Sequence, residues 1–306
     1  MKLNSGPFNI QKSIAKSFVV VASSAVILAA CGSSSSSSTT TAAASSSSSS
    51  GPASMVPASV KALGTITVAS DASYAPNEFI GTDGTTIEGM DVDLGNAIAK
   101  ELGLTFKFVN APFDSIIPAM QAGKYQLGIS SFTDSKAREK VVDFVTYFTA
   151  GTSWVTQAGN PKSVSITNAC GLPIAVETGT TEVQDIQQRS QSCTSAGKPA
   201  IQIDQYQTQT DANTAVATGK DVAMLADSPV AGYAVAQSGG KLALLGSSYA
   251  NAPYGIAVAK GQGAFKDAIL AAVKALMANG QYTQILTKWG VQSGAISNPV
   301  INGATS

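Results

Sequence analysis

Short apolar runs alternate with helical periods along most of this chain. "TITVAS" (65–70) is β-branched and alternating, which predicts a strand. "DVDLGNAIAKELG" (91–103) sets Leu94, Ala97, Ile98 and Leu102 on one helical face, with Asp91 read as N-cap and Gly103 as C-cap. A strand at "FKFVN" (106–110), a helix at "DSIIPAMQAG" (114–123) capped by Asp114, and a strand over 125–131 follow. The alternation resumes with strand 173–177, a helix from Thr181, strand "AIQID" (200–204), helix 208–219, strand 221–226 and a helix from Ser228. A strand at 254–261 and helices over 263–280 and 280–290 complete the series; Phe265, Ile269, Ala272, Val273 and Leu276 share a face of the first of these helices. Repeated strand–helix–strand units predict an α/β class with mostly parallel sheets. Residues 61–296 are long for one domain, so two lobes are expected, with a ligand crevice at the carboxyl ends of the strands.

The ends of the chain break this pattern. "FVVVASSAVILAA" (18–30) is an uncharged apolar run behind Lys2, Lys12 and Lys16, too short to span a bilayer comfortably and suited to an export signal over 1–31. It ends in "LAAC" (28–31), which resembles a lipoprotein lipobox with Cys31 as the lipidated residue; an ordinary secretory signal is the alternative. The Ser/Thr/Ala-rich stretch that follows cannot bury enough apolar surface to fold, so 32–60 is expected to be a disordered linker. Its mean reach is on the order of 25–30 Å. A flexible tail is expected at 297–306.

Composition narrows the chemistry. Cleavage before Cys31 removes three lysines from a chain with 19 basic and 19 acidic residues, leaving a net charge of −3 and arguing against a nucleic-acid partner. Histidine is absent, which removes His-based acid–base catalysis and imidazole metal sites, and no cysteine cluster offers a metal site. No cofactor or metal is expected. With Cys31 lipidated, Cys170 and Cys193 remain as a pair in an exported protein; a disulfide worth ~3 kcal/mol is expected, two separate thiols being the alternative.

The strand ends collect the polar chemistry. They carry "SDASYAPNEF" (70–79), "NAPFDS" (110–115), "SSFTDSKAR" (130–138), "TGTTE" (178–182) and "ADSP" (226–229). Arg138 supplies a planar two-pronged donor for a carboxylate. Ser130, Ser131, Thr133, Thr180 and Thr181 add hydroxyls, and the helix starting at Thr181 adds N-terminal amides. Asp227 supplies an acceptor for an ammonium, and Tyr74 and Phe113 supply flanking aromatic surface. The set suits a small zwitterion and contains no nucleophile beside a base.

These same stretches resemble the polar amino-acid-binding proteins, extracytoplasmic receptors of ABC importers. "GMDVDLGNAIAKELG" is similar to the family signature G-F-D-x-D-L, and "SDASYAPNEF", "APFDSIIPAMQAGKYQLGISSFTDSKAREKVVDFVTYF", "GTTE" and "AMLADSPVA" follow in family order, so that the resemblance covers roughly 61–292. It implies a periplasmic-binding-protein-like clamshell, with 61–151 and 253–296 in lobe 1, 152–252 in lobe 2, and hinge crossings near 150–153 and 250–253. By position it implies that Arg138 grips the ligand α-carboxylate with Ser131, Thr133 and Thr181, and that Asp227 takes the α-ammonium. Tyr74 and Phe113 would pack on the ligand, and Asp71 would reach its side-chain end, favouring a polar or basic side chain. Asn77 stands where the family often has an aromatic, which predicts a more polar pocket floor. The implied partners are a free L-amino acid, an ABC permease and, through the lipid, the outer face of the cell membrane; a monomer that is not an enzyme is expected.

Alternatives stand beside each role. Arg138 could pair with Glu139 or Asp143, Asp227 could only cap the next helix, and Asp71 could only brace its loop. Thr180 and Thr181 could be plain caps, and Tyr74 and Phe113 core aromatics. Asp91 and Asp93 are read as helix-start acids rather than ligand contacts. The same fold has dehydratase relatives acting on prephenate-like acids. That reading needs a spare cleft carboxylate, and the sequence suggests none beyond Asp71 and Asp227.

Overall fold

A computed structural model describes residues 51–305; the expected signal, Cys31 and the linker up to residue 50 lie outside the described residues. Helices α1 (Pro52–Met55) and α2 (Ala58–Lys61) lead into β1 (Thr65–Ser70), β2 (Ser73–Tyr74), β3 (Glu78–Ile80) and β4 (Ile87–Glu88). Next come α3 (Met90–Leu102), β5 (Thr105–Asn110), α4 (Phe113–Gln121), β6 (Leu127–Gly128), α5 (Lys136–Glu139) and β7 (Val142–Gln157). The second run is β8 (Pro173–Glu177), α6 (Thr181–Ser195), β9 (Gln202–Tyr206), α7 (Gln209–Thr218), β10 (Ala223–Asp227) and α8 (Ser228–Gln237). β11 (Leu242–Ala259), α9 (Phe265–Ala278) and α10 (Gln281–Trp289) follow.

The main sheet has the order β5-β1-β6-β11-β7-β10-β8-β9. The outer pairings are parallel, and those around β7 and β11 are antiparallel. β7 and β11 pair with each other from Leu242 opposite Gln157 to Ala259 opposite Val142. Their ends serve different neighbours: Ala257 and Val258 pair with β6, whereas Thr152–Thr156 pair with β10. The result is a clamshell of two α/β lobes sharing two crossing strands. Each lobe has its own core. Ile66, Val68, Leu94, Ile98, Ile256 and Ile269 pack together in the first, and Trp154, Ile174, Val176, Ile186 and Leu225 in the second. The β7–β11 register shifts between Leu245 and Tyr249 and again before Ala252, and Ala250 takes a left-handed φ of 53°.

Several expectations need correction. The linker does not extend to residue 60: 52–61 forms two helical turns, because Val56 and Val60 bury themselves in the first-lobe core. The tail at 297–306 is not free over its described part. Thr146 N donates to Val300 O at 2.9 Å, Asn302 Oδ1 accepts from Phe144 N at 2.8 Å, and Gly303 N donates to Asp134 Oδ2 at 2.7 Å. This segment lies along β7, bridging Val145 through Ile301. The strand expected at 254–261 is the end of the longer β11, and the one at 125–131 shortens to Leu127–Gly128. Asp114 lies inside the first turn of α4, where Pro112 holds the N-cap position.

Asp91 is not the N-cap of α3 either; Gly89 is, with φ 141°. A Cβ there would stand 2.1 Å from the Asn77 carbonyl oxygen, so only glycine fits. Cys170 and Cys193 form a disulfide with Cα atoms 5.6 Å apart, tying α6 to the segment before β8.

Candidate functional site

A small cavity lies between the lobes. The first lobe lines it with Asp71, Tyr74, Phe113, Ser130, Ser131, Thr133 and Arg138, and the second with Glu177, Thr180, Thr181, Glu182 and Asp227. All nine expected site residues are therefore brought together. Thr180 belonged to the strand-end inventory. Glu177 and Glu182 were missed, although each sits in a stretch the sequence marked, the first closing "PIAVE" and the second closing "GTTE".

The first-lobe wall is braced from behind. Asp71, at the end of β1, accepts from Ser73 N at 3.1 Å, Ser73 Oγ at 2.6 Å and Phe113 N at 2.9 Å. It braces its loop and lines the cavity as well. Ser130 Oγ accepts from Asp71 N at 2.8 Å and donates to Glu78 Oε1 at 2.9 Å. Ser131 adopts φ 50°, an unfavourable region for a residue with a Cβ, and its N–H donates to Asp91 Oδ2 at 2.8 Å. Tyr147 donates to the same carboxylate. Asp91 is thus a buried acceptor holding Ser131, while Asp93 accepts from Trp289 Nε1 and Lys288. Asn77 is not on the pocket floor. It is buried behind the wall, where its Nδ2 donates to Ser131 Oγ at 2.9 Å.

Arg138 follows Ser135, whose hydroxyl caps α5. Its Nη1 donates to Thr133 O and its Nη2 to Gly179 O, both at 3.0 Å, so the guanidinium bonds a carbonyl in each lobe. The guanidinium carbon lies 5.4 Å and 5.6 Å from the Phe113 and Phe132 ring centroids, and these rings stack at 4.7 Å. The surface-pair alternative fails because Glu139 pairs with Lys136, and Asp143 with Lys260 and Lys266. Gly179 (φ 83°) permits the close approach of the lobes; a Cβ there would meet Asp114 Cβ at 2.7 Å.

The second-lobe wall is a row of strand ends and one helix start. Thr180 takes the N-cap position of α6, with its hydroxyl on Glu177 O at 2.7 Å. Glu182 accepts from Thr152 Oγ1 at 3.0 Å and Thr181 Oγ1 at 3.2 Å. Asp227 holds the N-cap position of α8 yet makes no capping bond; its Oδ2 accepts from the Tyr74 hydroxyl at 3.0 Å. Glu177 Oε1 has no hydrogen-bond partner, and its carboxyl lines the same cavity as Asp71.

Burial raises the pKa of Asp71, even against its three donors. Burial raises Glu177 and Asp227 further, and neighbouring carboxylates add to the rise in both. Burial lowers Arg138, though a guanidinium stays charged. The cavity thus sets four carboxyl groups against one guanidinium, which suits a ligand with more positive than negative charge. The spare cleft carboxylates that the sequence did not suggest are present, as Glu177 and Glu182.

A cleft between two hinged α/β lobes, polar at every strand end, defines a solute-binding protein. The pattern of the bacterial extracellular solute-binding proteins, family 3, matches residues 66–292, and the chain belongs to that family. It is 34% identical to the arginine-binding protein ArgT of Corynebacterium glutamicum over 250 residues, 81% of this chain and 82% of that protein. It is 32% identical to the ABC transporter glutamine-binding protein GlnH of Bacillus subtilis, over 66% of this chain and 72% of that protein. Among solved structures, an ancestral arginine-binding protein bound to arginine superposes with a TM-score of 0.69 at 32% identity, over 74% of this chain and 98% of that one. These relatives are named as binding proteins, not enzymes.

Proposed function

We propose that this protein is the lipid-anchored receptor of an amino-acid ABC importer and that its ligand is a basic amino acid, arginine foremost. The observation that carries the ligand class is the cavity's charge: Asp71, Glu177, Glu182 and Asp227 against Arg138 alone. A zwitterion's own two charges need one cation and one carboxylate, leaving three carboxyl groups for the rest of the ligand. In this reading Arg138 takes the α-carboxylate, helped by Ser131, Thr133 and the N-terminus of α6 at Thr181. Asp227 takes the α-ammonium, Tyr74 and Phe113 flank the side chain, and Asp71 faces its far end. The names of the arginine- and glutamine-binding relatives support a nitrogen-bearing side chain.

Cys31 would carry the lipid, and the Ser/Thr-rich segment would tether a monomeric clamshell to the outer face of the cell membrane. Closure on the ligand would present the loaded form to the permease. Calorimetric titration with the twenty amino acids tests the reading: arginine and lysine bind and acidic amino acids do not. Tightest binding of an acidic amino acid would overturn it, and turnover of prephenate would replace it with the dehydratase reading.

A further inference from the structure

Glu177 ends β8 only 2% exposed, and its Oε1 points at no donor. A buried carboxylate without a donor is costly, so such groups are paired or neutral. The groups around it are all accounted for. Asp71 from the end of β1, Glu182 on α6 and Asp227 at the end of β10 line the same cavity, and all are acids that offer no cation. Tyr74 on β2 is a neutral phenol bonded to Asp227, and Arg138 on α5 directs two of its five N–H donors to Thr133 O and Gly179 O. Asp71 already accepts three hydrogen bonds, so it holds the charge of the Asp71–Glu177 pair. Burial, then the charge of Asp71, pushes the Glu177 acid well above the ordinary 4.5. The pair therefore favours a singly protonated state, with the proton on Glu177 and the charge on Asp71.

We propose that Glu177 is the residue that reads the charge of the ligand's side chain, and that it does so by exchanging a proton. This rests on the amino-acid ligand with a basic side chain inferred above. When a guanidinium or ammonium enters, the Glu177 O–H bond breaks, the proton passes to solvent, and two carboxylates face the cation. When a neutral amide or urea enters, the O–H bond stays and donates to the ligand's carbonyl oxygen. No electrons are transferred in either case. The preference for basic over neutral side chains rises with pH, by up to about tenfold per pH unit where one proton is released.

The test is calorimetry on the intact protein with arginine and with citrulline, its uncharged urea counterpart, in buffers of differing ionisation enthalpy. Arginine is expected to release close to one proton at neutral pH and citrulline almost none, with the arginine-to-citrulline affinity ratio rising with pH. Glu177→Gln should abolish the arginine-linked release and flatten the ratio while still unfolding in one cooperative thermal transition. Arginine binding with no proton release, unchanged in Glu177→Gln, would overturn the proposal and leave the basic-ligand reading intact. Failure of arginine and lysine to bind at all would overturn that reading, and this proposal with it. The proton count on the unmodified protein separates the two outcomes.

Discussion

Asp71 and Glu177 face each other from equivalent places, each near the end of a strand in its own lobe, yet the fold treats them differently. Asp71 has three donors, whereas Glu177 Oε1 has none. The contrast holds for the walls around them. In the first lobe, Ser130 and Ser131 are wired through Glu78, Asp91, Asn77 and Tyr147 into a buried network. In the second, the Asp227 side chain makes no capping bond and accepts instead across the cleft, from Tyr74. The first wall is pre-organised and gives up little mobility when a ligand arrives. The second holds carboxyl groups whose full partners belong to whatever fills the cavity. Such groups cost stability and supply affinity, the usual trade at a binding site.

This comparison predicts a graded set of effects. The largest is Arg138→Ala, which leaves the ligand carboxylate buried and unpaired. Amino-acid affinity should fall by about 10²–10³-fold or more, with a melting temperature close to that of the parent; unchanged affinity in calorimetry would sink the role of Arg138. Next is Asp227→Asn, expected to weaken amino acids by about 10–10²-fold and analogues lacking the amino group far less. Equal losses would move the ammonium site elsewhere.

Asp91→Asn acts on the braced wall and reverses the balance: thermal denaturation should show a stability loss of about 1–3 kcal/mol, while affinity falls less than tenfold. A large affinity loss at unchanged stability would erase the distinction between the walls. The smallest effect is Glu177→Gln on the stability of the free protein. A carboxyl whose folded pKa is raised contributes stability that is full below its ordinary 4.5 and is lost as pH climbs towards the raised value. The amide never ionises, so the variant should melt a few degrees higher at neutral pH and match the parent in acid. A lower melting temperature at neutral pH would mean that Glu177 has a donor after all.

Much of this could be read from the chain. The helix faces of 91–103 and 263–280 are periodic, and all nine expected site residues line one cavity because strand ends converge in an α/β fold. What was missed has physical causes. β7 escaped notice because a 16-residue strand running through two lobes has no single buried face, and Gly151 interrupts it. The ordered tail escaped because it is held by polar contacts 154 to 169 residues away in sequence, Val300 and Asn302 to β7 and Gly303 to Asp134, rather than by apolar periodicity. Val56 and Val60 are two buried residues inside an otherwise uncharged, small-residue stretch, too few to shift its composition. Glu177 and Glu182 looked like an ordinary strand end and an ordinary first-turn acid. Only the fold shows that both open onto the cavity that holds Asp71 and Asp227.

The two chain crossings are hydrogen-bonded to one another across the junction, from Leu245 opposite Trp154 to Pro253 opposite Thr149. The lobes are therefore joined by one ribbon rather than two independent tethers. A two-stranded ribbon flexes readily across its face and resists bending within its plane, so opening has one soft direction. The register shifts and left-handed Ala250 are the points where the regular pairing of that ribbon is interrupted. A dye pair placed at any two positions spanning the cleft should consequently follow the same single coordinate, with matching kinetics.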